Sequence, residues 1–268
     1  SFVKSNGVVG GASILMMGTF FSQLIIILVS PILTRIYSPE DFGIFSVYIA
    51  IVAFFATISN LRYELAIPIS KSLANTLGSA KLSLLLVMFT SITLWVILYI
   101  SGEYILGAMN AINLYNVFWL IPLGVFIGGT YNLFTFWSLK KRDFIHLSIG
   151  RMLQGAILAL LQVILGIFKL NFVGLILGHV TGFFITVLYL LRKSIHVHIF
   201  AIKRINFKTL KKIAIRYKKF PKFSTFSDAM NVIGVQSPAI LFASLFSISA
   251  AGYYMLASRV MSAPIVLI

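Results

Sequence analysis

Apolar runs of roughly twenty residues recur along this chain with only short polar breaks between them, the length an α-helix needs to cross about 30 Å of hydrocarbon. In lipid every backbone amide and carbonyl must be satisfied within the protein, and no strand-type alternation competes, so these runs are expected to fold as helices. The pattern predicts helices at about 9–34, 42–66, 79–101, 115–138, 148–168 and 172–191, then at about 224–246 and from about 250 to Ile268. The first run, Val8 to Leu33, exceeds the roughly 7–15 apolar residues of a signal peptide and reads as the first transmembrane helix. With 59% hydrophobic and 10% charged residues, the chain lies far from the roughly 25% charged average of soluble domains. The expected fold class is an all-α polytopic membrane protein.

Between the sixth and seventh runs lies a basic stretch, Arg192 to Lys222, which holds eleven of the twenty-two Lys and Arg residues and no acid. Such segments stay on the cytoplasmic side. Counting helices from it puts eighteen basic residues on that side, including the N-terminal Lys4, against Arg35 and Lys169 on the other. The net charge of +16 is therefore topological, and no nucleic acid partner is expected. The division suggests a six-helix unit at 1–191, a cytoplasmic connector at 192–223, and a second unit beginning at 224–268 whose helices have barely started at Ile268. Within the connector, Ile202, Ile205, Leu210, Ile213, Tyr217 and Phe220 fall on one face, as in a helix lying on a membrane surface. Its nine basic residues from Lys203 to Lys222 suit anionic inner-leaflet lipids; a plain connector is the other reading.

Two basic residues, Arg62 and Arg259, fall within predicted helices, where charge is costly and is usually functional. Arg62 is near an inner helix end, so it either snorkels to headgroups or faces a cavity. Arg259 has Asp228 as its nearest acid in sequence, which allows either a structural ion pair or a cation presented to an anion. Polar residues recur at helical spacing: Ser13, Thr19, Ser22, Gln23 and Ser30; Thr57, Asn60 and Glu64; Arg151, Gln154 and Gln162; Ser224, Ser227, Asp228 and Asn231, on a helix that Pro238 interrupts. Such stripes serve interhelical hydrogen bonding or line a wet cavity. The candidate substrate-binding set is Arg62, Arg259, Asn60, Glu64, Gln154, Asp228 and Asn231.

Other signals concern packing and topology. Ser38-Pro39-Glu40-Asp41 has the make-up of a helix start, with Ser38 as N-cap. Gly124 with Gly128, and Gly174 with Gly178 and Gly182, have the spacing that lets helix backbones approach. Trp119 and Trp137 bracket the fourth helix at a separation suited to the two membrane interfaces. Ser38, Gly43 and Phe45 recur as Ser247, Gly252 and Tyr254 at the same spacing, which suggests two homologous halves. The absence of cysteine excludes disulfides and thiolate chemistry. His196 and His198 are too few for a metal site, and neither a P-loop nor a Gly-rich phosphate loop is present. No metal, cofactor or catalytic residue is expected.

The runs IYSPEDFGIFSVY, LRYELAIP and AGYYMLASRVMSAP resemble the polysaccharide-transport branch of the multidrug/oligosaccharidyl-lipid/polysaccharide exporter superfamily, the Wzx-like O-antigen and exopolysaccharide flippases. The resemblance implies a two-lobed exporter fold, here a complete six-helix N-lobe and the first one to two helices of the C-lobe. It also implies movement of an undecaprenyl-pyrophosphate-linked oligosaccharide from the inner to the outer leaflet of a bacterial plasma membrane, by alternating access through a cationic cavity, with the N-terminus cytoplasmic. Arg62 and Arg259 match the cavity arginines of such proteins, and Arg35 lies nearer the outer mouth. Expected partners are the lipid-linked oligosaccharide, anionic membrane lipids, a polysaccharide polymerase and a chain-length regulator. Two other readings stand beside it. A cation-coupled multidrug exporter of the sister family would rely on Glu64 and Asp228, whereas a membrane-embedded polysaccharide-assembly enzyme would want larger outer loops than these.

Overall fold

The computed structural model describes residues 8–195, 202 and 205–267. His196, His198, Lys203 and Arg204 of the basic stretch, and Lys4, lie outside the described residues. The helices are α1 (Val8–Ile36), α2 (Pro39–Ile58), the short α3 (Ala66–Ile69), α4 (Leu73–Ala108), α5 (Leu120–Lys140), α6 (Phe144–Ile167), α7 (Asn171–Leu190), α8 (Phe207–Arg216), α9 (Thr225–Leu245) and α10 (Ile248–Leu267). No strand occurs among the described residues. Six helices, α1, α2 and α4 to α7, are long and apolar enough to cross a membrane. Helices α9 and α10 have similar lengths, 21 and 20 residues.

The exposed surface has the composition of a lipid-facing one. Helix α4 turns Phe89, Ile92, Trp95, Tyr99 and Ile100 outward and buries Ser79, Ser83, Ser91 and Gly102. That is the reverse of a soluble amphipathic helix, because close helix packing in lipid favours small residues inside. At 36 residues and 1.5 Å per residue, α4 is about 54 Å long and extends beyond the hydrocarbon.

Helix α2 is the centre of the bundle and packs against α5, α7, α9 and α10. Accordingly it is apolar on all sides, with Phe42, Phe45, Val47, Tyr48 and Val52 buried. Its start is fixed by a capping box: Ser38 Oγ accepts from the Asp41 amide, and Asp41 accepts from the Ser38 amide at 2.9 Å. Asp41 also accepts from the Phe172 amide at 2.8 Å, so one carboxylate joins the starts of α2 and α7. Helix α1 packs chiefly on α6, where Arg151 donates to Thr19 Oγ1 at 2.6 Å. Tyr37 donates to the Gln162 carbonyl at 2.7 Å, and Gln162 donates to the Leu175 carbonyl.

The repeated Ser-Gly-aromatic pattern has a structural counterpart. Helix α10 starts after Ser247, whose Oγ accepts from the Ala250 amide, as α2 starts after Ser38. The two helices cross at Gly43 and Gly252. A Cβ on Gly43 would collide with the Ile248 carbonyl, and one on Gly252 with the Pro39 carbonyl. Ile248 stands where Pro39 does in the repeat, so the contact is reciprocal. Glycine is required at both positions because backbone, not a flexible side chain, fills the space of a Cβ.

Three expectations need correction. The second helix does not reach residue 66: it ends at Ile58, and Leu61 and Arg62 take left-handed backbone conformations (φ 45° and 57°) that lead into a short 3₁₀ turn, Tyr63–Leu65. The apolar face of the connector helix α8 does not lie open to lipid, because Leu210 and Ile213 are buried and Ile213 packs over Gly78 of α4. Trp137 is no interfacial anchor; it is 2% exposed, with Lys141 stacked over its ring, whereas Trp119 is half exposed.

Candidate functional site

The seven candidate residues do not form a single cluster. Arg62, Glu64 and Asp228 come together at the corner that follows α2, Arg259 lies near the opposite end of α2, and Gln154 belongs to the α6–α7 seam, where its carbonyl lies against Gly182. From Phe42, beside Arg259, to Ile58 the helix rises roughly 24 Å.

At the corner, Arg62 Nε donates to Asp228 Oδ2 at 2.5 Å and its Nη1 to Glu64 Oε1 at 3.2 Å. Asp228 thus pairs with Arg62, not with Arg259 as one of the two readings allowed, and this pair links the end of α2 to the first turn of α9. The left-handed turn at Leu61 and Arg62 aims the guanidinium there; such conformations cost roughly 1–2 kcal/mol per non-glycine residue, and they persist where the surroundings hold them. Those surroundings are specific. Asn60 is buried and donates to the Gly129 carbonyl of α5 at 3.0 Å; Tyr63 donates to the Ala214 carbonyl of α8 at 3.2 Å; Lys140 donates to the carbonyls of Pro68 and Ser70. Glu64 is fully buried and its Oε2 has no hydrogen-bond partner. Burial pushes its carboxyl up to about 7; its own backbone amide and Arg62 oppose the shift, and Asp228 adds to it. Asn231, one turn beyond Asp228, is exposed.

Arg259 occupies a different setting. It lines a crevice of about 330 Å³ between α1 and α10 with Ile27, Ser30, Pro31, Thr34, Leu256 and Val260, and its guanidinium lies over the Phe42 ring at 5.8 Å. No acid lines that crevice among the described residues. Pro31 lies within α1 and removes one helical hydrogen bond there.

A third feature was missed in the sequence. Helices α2, α5 and α7 enclose a cavity of about 270 Å³ lined by Thr57, Gly124, Gly128, Tyr131, Asn132 and His179. His179 packs on Phe45, Tyr48 and Phe183, and its Nδ1 has no hydrogen-bond partner. The available signal was Gly124, Gly128 and Asn132, spaced four apart on one face of α5.

Apolar helices in lipid-facing dress, with ionisable groups confined to the helix ends and seams, define an all-helical polytopic membrane protein. The chain belongs to the family described as polysaccharide biosynthesis protein, whose family model matches residues 8–268. No curated protein and no solved structure matches it.

Proposed function

We propose that this protein is a flippase that carries an undecaprenyl-pyrophosphate-linked oligosaccharide, an O-antigen, capsule or exopolysaccharide repeat unit, from the inner to the outer leaflet of a bacterial plasma membrane. The observation that carries the reading is Arg259 in its crevice between α1 and α10. A lipid-linked diphosphate needs a cation along a route that its polyprenyl tail can follow from the bilayer side, and a lateral crevice between helices supplies both. Arg engages phosphate oxygens with its fork, and the hydroxyls of Ser30 and Thr34 suit further phosphate or sugar oxygens. The crossing of α2 and α10 at paired glycines is the seam about which two lobes would rock in alternating access. The N-terminus and basic connector face the cytoplasm, and the connector's Lys and Arg residues hold anionic inner-leaflet lipids there. The protein acts as a carrier, not an enzyme, and hands its cargo to a polysaccharide polymerase with its chain-length regulator.

The test is translocation of a fluorescent undecaprenyl-pyrophosphate oligosaccharide in proteoliposomes. Arg259→Ala is expected to reduce it roughly 10- to 100-fold while the protein still folds and inserts. Efflux of organic cations without movement of the lipid would instead establish a multidrug exporter.

A further inference from the structure

The cavity between α2, α5 and α7 is lined by neither Arg62 nor Arg259, and the transport reading leaves it unused. Small residues make its room: Ala53 and Ala56 on α2, Gly124 and Gly128 on α5. A Cβ on Gly124 would collide with the Tyr48 hydroxyl, and one on Gly128 would press on the Ala56 methyl, so the two helices meet closely beside the open space. Two kinds of group border it. Tyr131 and Phe183, edge to face at 5.2 Å, form an aromatic wall. His179, Asn132 and Thr57 supply hydrogen-bonding atoms. The His179 ring is held at 4.8 Å from Phe183 and 5.8 Å from Tyr48, and its Nδ1 is shut in without a partner, which leaves the edge that borders the cavity for hydrogen bonding. Thr57 donates to the Ala53 carbonyl and Asn132 to the Ala56 carbonyl; the hydroxyl oxygen of one and the amide carbonyl of the other can still accept.

No Asp, Glu, Lys or Arg lines the cavity, which argues against a metal ion, an organic cation and a phosphate alike. A hydrocarbon chain would leave the imidazole and the amide unmatched. An uncharged ring with hydroxyls on its rim and an apolar C–H face matches both kinds of wall. At about 270 Å³, just under the roughly 300 Å³ at which pockets for drug-sized ligands begin, the space suits one such ring and not an oligosaccharide. We propose that this cavity binds a single neutral pyranose sugar, with Tyr131 and Phe183 against its C–H face and His179, Asn132 and Thr57 on its hydroxyls. Acidic sugars are rejected, because a carboxylate would be buried there without a cation. The cavity would thus distinguish one sugar from another, a task that Arg259 cannot perform on a diphosphate common to all such lipids. That the sugar belongs to a transported lipid rests on the flippase reading; the site itself stands on the cavity.

Saturation-transfer NMR on the purified protein in nanodiscs tests the site with free sugars: glucose, galactose, mannose, rhamnose, N-acetylglucosamine and N-acetylgalactosamine, with glucuronate as the acidic counterpart. The expected result is transfer to at least one neutral sugar and none to glucuronate. His179→Phe keeps a ring among its aromatic neighbours but removes both nitrogens, and should weaken binding of that sugar roughly 2- to 10-fold, the loss expected for one hydrogen bond. Ala53→Leu fills the cavity and should abolish the signal, whereas Arg259→Ala should leave it unchanged. Transfer to none of the six neutral sugars overturns the proposal, as does equal transfer to glucuronate, a signal that survives Ala53→Leu, or one lost in Arg259→Ala. Should Ala53→Leu or His179→Phe fail to fold, Thr57→Val and Asn132→Leu, which remove hydrogen-bonding atoms at nearly constant volume, carry the test, and unchanged binding in both overturns it. Sugar binding without translocation of the lipid-linked oligosaccharide would sink the flippase reading alone, and translocation without sugar binding would sink the site alone.

Discussion

Arg62 and Arg259 are the same residue type at two ends of one central helix, and their surroundings have made them into different devices. Arg62 is closed in by two carboxylates, on a backbone turned into a left-handed conformation to reach them. Arg259 lies over an aromatic ring in a crevice lined by apolar and hydroxylic side chains. A guanidinium holding two acids joins the helices that carry them, whereas the proposed role of Arg259 turns on the crevice that it lines. Burial of a charge in a membrane protein is therefore no single signal; what neutralises it decides what it does.

The contrast is sharpest in transport. Arg259→Ala should reduce translocation of the lipid-linked oligosaccharide roughly 10- to 100-fold, the loss expected for hydrogen bonds to a charged group worth about 1.5–3 kcal/mol, with normal yield of folded protein. Arg62→Ala should lower folded yield and transport in step. If Arg259→Ala instead lowers both together, the two arginines are alike and the distinction collapses.

Gly43→Ala places a methyl against the Ile248 carbonyl, and overpacking of this kind costs about 1–3 kcal/mol. It disturbs the seam beside Arg259 and leaves the Arg62 corner intact, so transport should fall while the Glu64 carboxyl keeps its raised pKa. A coupling of about 0.5–3 kcal/mol is expected between Arg62→Ala and Asp228→Ala in a stability cycle, measured by thermal unfolding in detergent. Arg259→Ala combined with Asp228→Ala should be additive.

Next comes the pH dependence. The Glu64 carboxyl stands at about 7 in the fold against an ordinary value of 4.5. Between those values the folded protein keeps a proton that the unfolded chain has released, so each rise in pH favours unfolding, and the loss levels off above the folded value. Stability should decline over that window, and Glu64→Gln should remove this part of the slope. The smallest effect belongs to Asn60→Ala, which deletes the bond to the Gly129 carbonyl and should cost about 1 kcal/mol of stability in thermal unfolding.

Much of this fold was legible in the sequence because lipid imposes a simple rule of length and apolarity. The six spans, the Ser38 cap and the glycine echo all follow from local pattern. The corner does not. No glycine or proline marks the stop of α2 at Ile58; the chain turns at Leu61 and Arg62, residues that seldom adopt positive φ, and Pro68 comes a full turn or more later. With that end misplaced, the one partner weighed for Asp228 was the arginine nearer in sequence, although its partner lies 166 residues away. The connector helix misled for a related reason: an amphipathic face records that something apolar covers it, and here the cover is α4 instead of lipid.

The meeting of Gly43 with Gly252 also bears on how such a chain tolerates change. Each helix presents the same patch to the other, so the seam is isologous, like the interface of a two-fold homodimer tethered into one polypeptide. In a true dimer one mutation alters both sides at once. Here the halves vary separately: a larger residue at 43 can be relieved only around 248, and one at 252 only around 39. Positions 43 with 248, and 252 with 39, are therefore expected to co-vary across relatives as two independent pairs.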